Sequence, residues 1–219
     1  GWDDLLCRLE AAIINKDDPA SGKIIEKVAS GKKARVLTYG IEQKSDIFAR
    51  NIKYSYEGLI FEISAAQDSS FHIENSIKIE SRLIGRHNVY NILASVACGI
   101  AMGMGVDDIR EGVRALSSLP GRLEKIDCGQ DFAIFVDYAH TENGIENALK
   151  ALKDLEHKRL LVVFGCGGNR DKSKRPKMGR ISSELSDKIF ITSDNPRSED
   201  PKDIINQIIE GIDKDNYVV

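Results

Sequence analysis

Two apolar runs stand out in the second half of the chain, and a polar segment follows each of them directly. The first run covers residues 160–164 and leads into Gly165-Cys166-Gly167-Gly168. The second covers residues 189–192 and leads into Ser193-Asp194-Asn195-Pro196-Arg197. Short apolar runs between turn residues are typical of buried strands in a parallel sheet. Because ligands bind at the carboxyl edge of such sheets, the pattern predicts one binding site to which both polar segments contribute.

Strand and helix patterns alternate around these two runs. Thr141 and Asp200 stand where helix N-caps are expected, and a proline follows Asp200 at the first helical position. The pattern predicts strands at residues 132–136 and 217–219, and helices at residues 145–155, at residues 178–185 and from residue 201. The second half is therefore expected to be an α/β domain with a parallel sheet.

The first half combines an α/β pattern with an antiparallel one. Between residues 46 and 83, apolar residues alternate with others and turn-forming stretches interrupt them, which predicts a small antiparallel sheet. The breaker cluster at residues 117–121 indicates a boundary between domains of residues 1–120 and 121–219. The remaining pattern predicts a strand at residues 11–14, a helix at 21–29, a strand at 35–39, and helices that begin near Asn88 and Ile109.

Composition excludes several classes of protein. The chain has 219 residues, of which 42% are hydrophobic and 30% charged, which fits a globular protein and argues against disorder. A net charge of −3 gives no overall basic footprint for nucleic acid. No segment is apolar enough to span a membrane, and the four scattered cysteines show neither a metal-ligand spacing nor a disulfide framework. We expect a cytoplasmic protein with reduced thiols and no metal ligands of its own.

The two polar segments carry the candidate chemistry. Arg170 and Arg197 can each hold a carboxylate in a two-point grip, and Asp194 and Asn195 can accept hydrogen bonds from an ammonium group. The set suggests a receptor for a small zwitterion. The glycine turn matches neither a Walker A loop nor a dinucleotide fingerprint, and taken alone it favours a simple tight turn. Lys172, Lys174 and Lys177 are expected to form a solvated face, and the role of Arg175 stays open.

A second set of polar residues has two interpretations. Asp137 and His140 follow a predicted strand, where they serve either as a helix cap and a structural histidine or as contacts to a nucleotide ribose. Asn88 and Asn91 either cap the helix that they begin or recognise adenine through their side-chain amides. The residues alone leave both alternatives open.

Six motifs occur in an order that resembles the Mur ligase family, and most closely its members that extend UDP-N-acetylmuramoyl-L-alanyl-D-glutamate in peptidoglycan synthesis. The similarity runs along nearly the whole chain. The motifs are Gly85-Arg86-His87-Asn88-Val89-Tyr90-Asn91, Pro120-Gly121-Arg122-Leu123-Glu124, Asp137-Tyr138-Ala139-His140-Thr141, Gly165-Cys166-Gly167-Gly168-Asn169-Arg170-Asp171, Lys174-Arg175-Pro176 and Asp194-Asn195-Pro196-Arg197.

The resemblance implies an ATP-dependent, amide-forming enzyme of cell wall biogenesis, a process that supports cell shape and cell division. ATP phosphorylates the glutamyl carboxylate of the nucleotide substrate, an amino acid amine attacks the acyl phosphate, and phosphate leaves. The implied fold is the remainder of a central ATPase-type α/β domain with a small antiparallel sheet, followed by an incomplete Rossmann-like C-terminal domain.

The resemblance also assigns residues to the ligands. Asn88 and Asn91 would face adenine, and Arg122 and Asp137 would face ribose or phosphate, with His140 close by. The incoming amino acid would be held by Arg170, Asp194, Asn195 and Arg197.

The motif Asp-Asn-Pro-Arg is the form associated with meso-diaminopimelate, whose distal carboxylate lysine lacks. If lysine bound instead, the arginine would be buried without a carboxylate partner. This would cost about 3–5 kcal/mol, which favours diaminopimelate.

The chain also departs from the family pattern. The UDP-binding domain, phosphate-binding loop, carbamylated lysine and magnesium ligands of the family have no counterpart here, nor has its Gly-Lys-Gly-His-Glu motif. Glu142 stands where proline is usual, and Asn169 where aspartate is common. We expect an internal piece that does not turn over alone and whose parent uses ATP and Mg²⁺. The alternatives are a lysine-adding ligase, a cyanophycin synthetase-type ligase domain, or a non-catalytic module that binds an amino acid or nucleotide.

Overall fold

The computed structural model describes residues 9–31, 34–66 and 76–219. The chain divides into two compact units, one that ends at Ser118 and one that begins at Leu119. Within the described residues, no helix combines the length and the apolar character needed to cross a bilayer.

The first unit contains a mixed sheet whose described strands follow the order β1-β2-β3-β4-β5. The strands β1, β2 and β3 run parallel, and β3, β4 and β5 run antiparallel. The predicted antiparallel set is therefore confirmed, but it continues the parallel strands rather than forming a sheet of its own. Residues 67–75 of the predicted set lie outside the described residues. The bounds are Ala11–Asn15 for β1, Arg35–Gly40 for β2, Ile47–Ser55 for β3, Gly58–Ala65 for β4 and Ile77–Ser81 for β5.

In the described part of the first unit, three helices accompany this sheet, α1 (Ser21–Ser30), α2 (Arg86–Ala101) and α3 (Val106–Ala115). The alternation predicted for β4 is seen directly, because Leu59 and Phe61 are buried in the core while Ile60 between them is exposed. The apolar face of α2 packs into the same cluster. Burial of one sheet face and one helix face thus produces the core of the unit.

The second unit contains a short antiparallel pair and a parallel sheet. The pair is β6 (Glu124–Ile126) with β7 (Ile134–Val136), and β6 was not predicted. In the described part of the parallel sheet the strand order is β10-β9-β8. The remaining bounds are Glu142–Lys153 for α4, Leu161–Phe164 for β8, Lys174–Leu185 for α5, Lys188–Ile191 for β9, Pro201–Ile209 for α6 and Tyr217–Val218 for β10.

Local sequence signals fix the ends of two of these helices. The Thr141 hydroxyl accepts a hydrogen bond from the Gly144 amide at 3.1 Å and caps α4. The Asp200 carboxylate accepts one from the Lys202 amide at 2.8 Å and caps α6, with proline next to it. Both predicted caps are confirmed.

The two faces of the parallel sheet differ in burial. Val162 and Ile189 pair across β8 and β9 and pack against the helices of the unit. Val163 and Phe190, one residue further along, point to the opposite face, where Val163 is 70% exposed. The prediction of fully buried strands is therefore wrong for this face within the described residues. The apolar runs identify the strands correctly, but a run alone does not tell how many sheet faces are covered.

Candidate functional site

Two loops meet at the carboxyl edge of the parallel sheet. The glycine loop (residues 165–170) follows β8, and the DNPR loop (residues 193–199) follows β9, which pairs with β8 in parallel. The Gly168 amide donates to the Asn195 carbonyl at 2.8 Å, and Arg197 Nη1 donates to the Gly168 carbonyl at 2.6 Å. The Ser198 hydroxyl also donates to the Asn169 side-chain oxygen at 2.9 Å. These bonds join the two loops into one surface.

The glycines of the first loop permit this contact. A Cβ on Gly168 would lie 1.8 Å from the Pro196 carbonyl oxygen, and one on Gly165 would lie 2.3 Å from the Thr192 carbonyl oxygen. Both distances are far inside van der Waals contact, so any side chain would force the loops apart. The glycines therefore provide a close approach between two backbones, which is more than the tight turn that their sequence alone favours.

The four residues predicted to bind an amino acid all belong to these loops. Asp194 and Arg197 lie together at Gly167, because a Cβ there would be 3.0 Å from Arg197 Nη1 and 3.7 Å from a carboxylate oxygen of Asp194. Asn195 holds the glycine loop through its backbone, and Arg170 is exposed at the end of that loop. Arg197 donates one guanidinium N–H to Gly168, and its exposed side chain carries further N–H donors. Carboxylate, amide and guanidinium groups thus share one sheet edge.

A buried ion pair supports the two loops from below. Arg175 on α5 is fully buried, and its two terminal nitrogens donate to the two carboxylate oxygens of Glu199 at 2.9 and 3.0 Å. The same guanidinium donates to the Gly167 carbonyl at 3.2 Å and to Gln207 Oε1 at 2.7 Å. Hydrogen bonds from Arg175, from the Asn169 amide and from Lys172 hold the pKa of Glu199 far below its usual range.

This ion pair was not predicted from the sequence. Glu199 was not singled out, and Arg175 stayed open inside a run of charges that was assigned to a solvated face. Helical spacing contains the missing signal, because Arg175, Met178 and Ser182 recur at i, i+3 and i+7 and are all buried. A charged residue in phase with buried neighbours indicates a buried, paired charge.

Asp137 and His140, two of the predicted nucleotide contacts, lie in the loop after β7. The two carboxylate oxygens of Asp137 accept hydrogen bonds from the amides of Leu123 and Ala139, each at 2.8 Å. The His140 ring lies edge-on to Tyr138 and is exposed, and Lys174 Nζ donates to the His140 carbonyl at 2.5 Å. Asp137 therefore organises the loop around Leu123, whose φ is +44°. Lys174, predicted as fully solvated, is partly buried.

Arg122 precedes Leu123 and is exposed. It stands beside the bend that Asp137 holds through the Leu123 amide. The bend therefore fixes the backbone from which the Arg122 side chain extends.

The two asparagines predicted to face adenine are hydrogen-bonded to each other in the first unit. Asn88 is buried and donates from Nδ2 to the Ile84 carbonyl at 2.8 Å, while its Oδ1 accepts from Asn91 Nδ2 at 3.0 Å. Asn91 is exposed. The buried amide thus orients the exposed one, and of the two asparagines only Asn91 has an exposed side chain.

Asp17 forms a further polar centre in the first unit that sequence reasoning did not identify. Its carboxylate accepts hydrogen bonds from the amides of Ile41, Glu42 and Gln43 and from the Tyr90 hydroxyl. Partial burial opposes ionisation of Asp17, but these donors outweigh it and hold its pKa below the usual value. The contacts fix the loop after β2 against α2.

No metal centre is visible in the part of the chain that the structure describes. Among residues 9–31, 34–66 and 76–219, no group of three or more His, Cys, Asp or Glu side chains is arranged to hold a metal ion. The free thiols described are Cys98 and Cys128, which are exposed, and Cys166, which is buried in the glycine loop. Burial raises the pKa of the Cys166 thiol and keeps it protonated.

Parallel strands with polar loops at their carboxyl edge place the second unit among the open α/β folds, a class in which ligand sites commonly lie at that edge. Comparison with known families extends this classification to the whole chain. The Mur ligase middle domain matches residues 5–99, and the Mur ligase glutamate ligase domain matches residues 121–219. The chain therefore belongs to the Mur ligase family.

Individual relatives agree with this assignment. A UDP-N-acetylmuramoyl-L-alanyl-D-glutamate–2,6-diaminopimelate ligase of Syntrophomonas wolfei is 44% identical over 93% of this chain and 39% of its own length. A solved structure of a ligase with that name is 31% identical, with a TM-score of 0.65 over 99% of this chain and 45% of the other. MurF from Acinetobacter baumannii, 21% identical, shares the fold with a TM-score of 0.72 over 95% of this chain and 42% of its own. The chain thus spans about 40% of the length of the curated relatives that it matches.

Proposed function

We propose that this chain is part of an ATP-dependent ligase that joins meso-diaminopimelate to the glutamyl carboxylate of UDP-N-acetylmuramoyl-L-alanyl-D-glutamate in cytoplasmic peptidoglycan synthesis. The family assignment and the names of the relatives support the reaction class. The single observation that supports the amino acid site is the contact between the glycine loop and the DNPR loop. We further propose a functional boundary between domains of residues 1–120 and 121–219.

The amino acid binds by complementary charge. Arg197 donates hydrogen bonds to the distal carboxylate of diaminopimelate through N–H groups that are not bonded to Gly168, and Arg170 supplies a second guanidinium. Asp194 and Asn195 accept hydrogen bonds from an ammonium group. Since Arg197 is exposed and already bonded to Gly168, lysine does not strand a buried charge there. Discrimination against lysine is therefore expected to be about tenfold, below the 3–5 kcal/mol of a buried charge.

Each unit, taken by itself, contains candidate contacts for ATP. The exposed Asn91 amide, which Asn88 orients, suits the donor–acceptor edge of adenine, and this fit supports the assignment. Arg122 and His140 offer exposed polar groups for ribose or phosphate, with Asp137 fixing the loop. The bound nucleotide supplies the phosphoryl group that activates the glutamyl carboxylate. Mg²⁺ is expected to be held by residues outside this chain.

The residues of this chain act by positioning and by neutralising charge. Two guanidinium groups compensate the carboxylates of the amino acid, and the carboxylate of Asp194 together with the Asn195 amide orients its amine towards the activated carbonyl. Holding reactants in this way removes much of the entropic barrier to their reaction.

Phosphate release by the full-length protein tests the proposal. We expect release that requires ATP, the UDP-linked dipeptide and meso-diaminopimelate together, and no turnover by the 219-residue chain alone. The Arg197→Gln variant should raise the KM for diaminopimelate, while the control Arg180→Gln, on the exposed face of α5, should not. Release that lysine supports as well as diaminopimelate, or release without any amino acid, would refute the substrate assignment.

A further inference from the structure

The glycine loop and the DNPR loop both rest on one side chain that neither loop contains. Arg175 lies in the first turn of α5, is fully buried, and contacts Gly167 of the first loop and Glu199 of the second. It also contacts Gln207 on α6. A single guanidinium therefore connects two loops and two helices, and its planar shape allows several directed contacts at once.

Glu199 completes the connection from the other side. Its carboxylate accepts hydrogen bonds from both terminal nitrogens of Arg175 and from the backbone amide of Asn169. It also forms an ion pair with the ammonium group of Lys172. The Asn169 amide immediately precedes Arg170, so this bond fixes the chain where a predicted substrate residue begins. Only 15% of the Glu199 side chain is exposed, whereas 62% of Lys172 is, and Arg175 is therefore the main partner.

Because Glu199 is negatively charged, a ligand that carries carboxylates can bind beside it only if Arg175 compensates that charge. An uncompensated carboxylate next to Asn169 would repel the carboxylates of an amino acid bound at Arg170 and Arg197. Arg175 compensates the charge of Glu199, so that neither Arg170 nor Arg197 has to pair with Glu199. The hydrogen bonds that Arg175 donates to the Glu199 carboxylate raise the pKa of Arg175, so the pair stays ionised.

We propose that Arg175 and Glu199 form a buried clamp that positions the amino acid receptor without touching its ligand. The clamp sets the spacing between Arg170 and Arg197 and cancels the negative charge beneath them. The identity of the ligand rests on the proposed function. That the clamp holds the two loops together can be tested without any ligand.

Two substitutions separate the parts of the clamp. Arg175→Lys keeps a positive charge but loses the two-point contact with Glu199 and the simultaneous contacts with Gly167 and Gln207. Glu199→Gln keeps the shape of the side chain and removes its charge. Arg180→Lys is the matched control, because Arg180 lies on the same helix with 59% of its side chain exposed and its partner Glu184 at 3.9 Å. Circular dichroism establishes that each variant is folded.

Hydrogen exchange on the full-length protein, without any ligand, measures the clamp directly. The amides of Gly168 and Asn169 are bonded to the DNPR loop, whereas the Ile145 amide lies in α4 and bonds to Thr141. In Arg175→Lys and Glu199→Gln we expect exchange at Gly168 and Asn169 to accelerate about tenfold or more, the effect of losing a charge-assisted hydrogen bond. Exchange at Ile145 should not change. Unchanged exchange at Gly168 and Asn169 would overturn the clamp.

Steady-state kinetics then distinguishes positioning from general stability. We expect the KM for diaminopimelate to rise about 10- to 100-fold in both variants while the KM for ATP stays within about twofold, since small displacements of binding groups are costly. A parallel rise in both KM values, or an Arg180→Lys variant with the same defect, would overturn the positioning role. If the wild-type protein shows the expected hydrogen exchange but does not use diaminopimelate, the proposed function is refuted. The exchange rates of the two variants then still decide whether Arg175 and Glu199 hold the loops together.

Discussion

Adding one methyl group to Gly168 tests the contact between the glycine loop and the DNPR loop. The new Cβ of Gly168→Ala would lie 1.8 Å from the carbonyl oxygen and 2.6 Å from the carbonyl carbon of Pro196. The clash involves backbone atoms, which cannot rotate away as a flexible side chain can. The loops must therefore separate by more than an ångström, and separation breaks the hydrogen bonds that Gly168 makes with Asn195 and Arg197.

The magnitude follows from these contacts. Overpacking of a tight site costs about 1–3 kcal/mol, and each lost hydrogen bond adds about 1 kcal/mol. We expect Gly168→Ala to lower the free energy of unfolding of the second unit by about 3–5 kcal/mol. Urea unfolding followed by circular dichroism gives this value. Where the two units unfold in distinct transitions, each transition is fitted separately.

Gly112→Ala is the matched control for the methyl group. A Cβ on Gly112 meets nothing within 4 Å, and the residue lies inside α3, where alanine is favoured over glycine by about 0.5–1 kcal/mol. The control should leave the protein equally or slightly more stable. A Gly168→Ala protein that unfolds at the wild-type urea concentration would refute the close contact between the loops.

Three further predictions concern stability. Ile189→Ala should lower the free energy of unfolding by about 2–5 kcal/mol, because Ile189 is fully buried, whereas Val163→Ala on the exposed sheet face should cost under about 1 kcal/mol; equal losses in urea unfolding would contradict the one-sided burial. Thr141→Ala should cost about 1 kcal/mol by removing the cap of α4, and an unchanged midpoint would argue against it. Asp17→Asn should destabilise the protein at neutral pH. Because the folded pKa of Asp17 is depressed, this difference is present above the unfolded pKa of about 3.9 and shrinks as pH falls through the lower folded value. A difference that grows on acidification would contradict it.

Local patterns predicted most elements of the fold because short-range physics determines them. The apolar runs around Val162 and Ile189 identify two parallel strands, and Thr141 and Asp200 cap helices where expected. The strand β6, the partner of the predicted β7, was missed, since Glu124–Ile126 is only three residues long and carries little periodicity. Which sheet face is covered depends on other parts of the molecule, so the exposure of Val163 was not predictable from its own run.

The candidate site, too, was predictable in part. The resemblance placed Arg170, Asp194, Asn195 and Arg197 on two loops, and the structure shows these loops in contact. Their roles as ligand contacts stay predictions. The support beneath them was not visible in the motifs. Glu199 reaches back across 24 residues to Arg175, and a pairing over that distance follows from the tertiary fold rather than from spacing along the chain.

Calorimetric titration of the full-length protein with meso-diaminopimelate and with L-lysine is the sharpest check on the receptor formed by the two loops. We expect diaminopimelate to bind about tenfold or more tightly than lysine, because its distal carboxylate pairs with Arg197. In Arg197→Gln the two affinities should converge. Equal affinities in the wild-type protein, or a preference that survives Arg197→Gln unchanged, would contradict a receptor formed by the glycine loop and the DNPR loop.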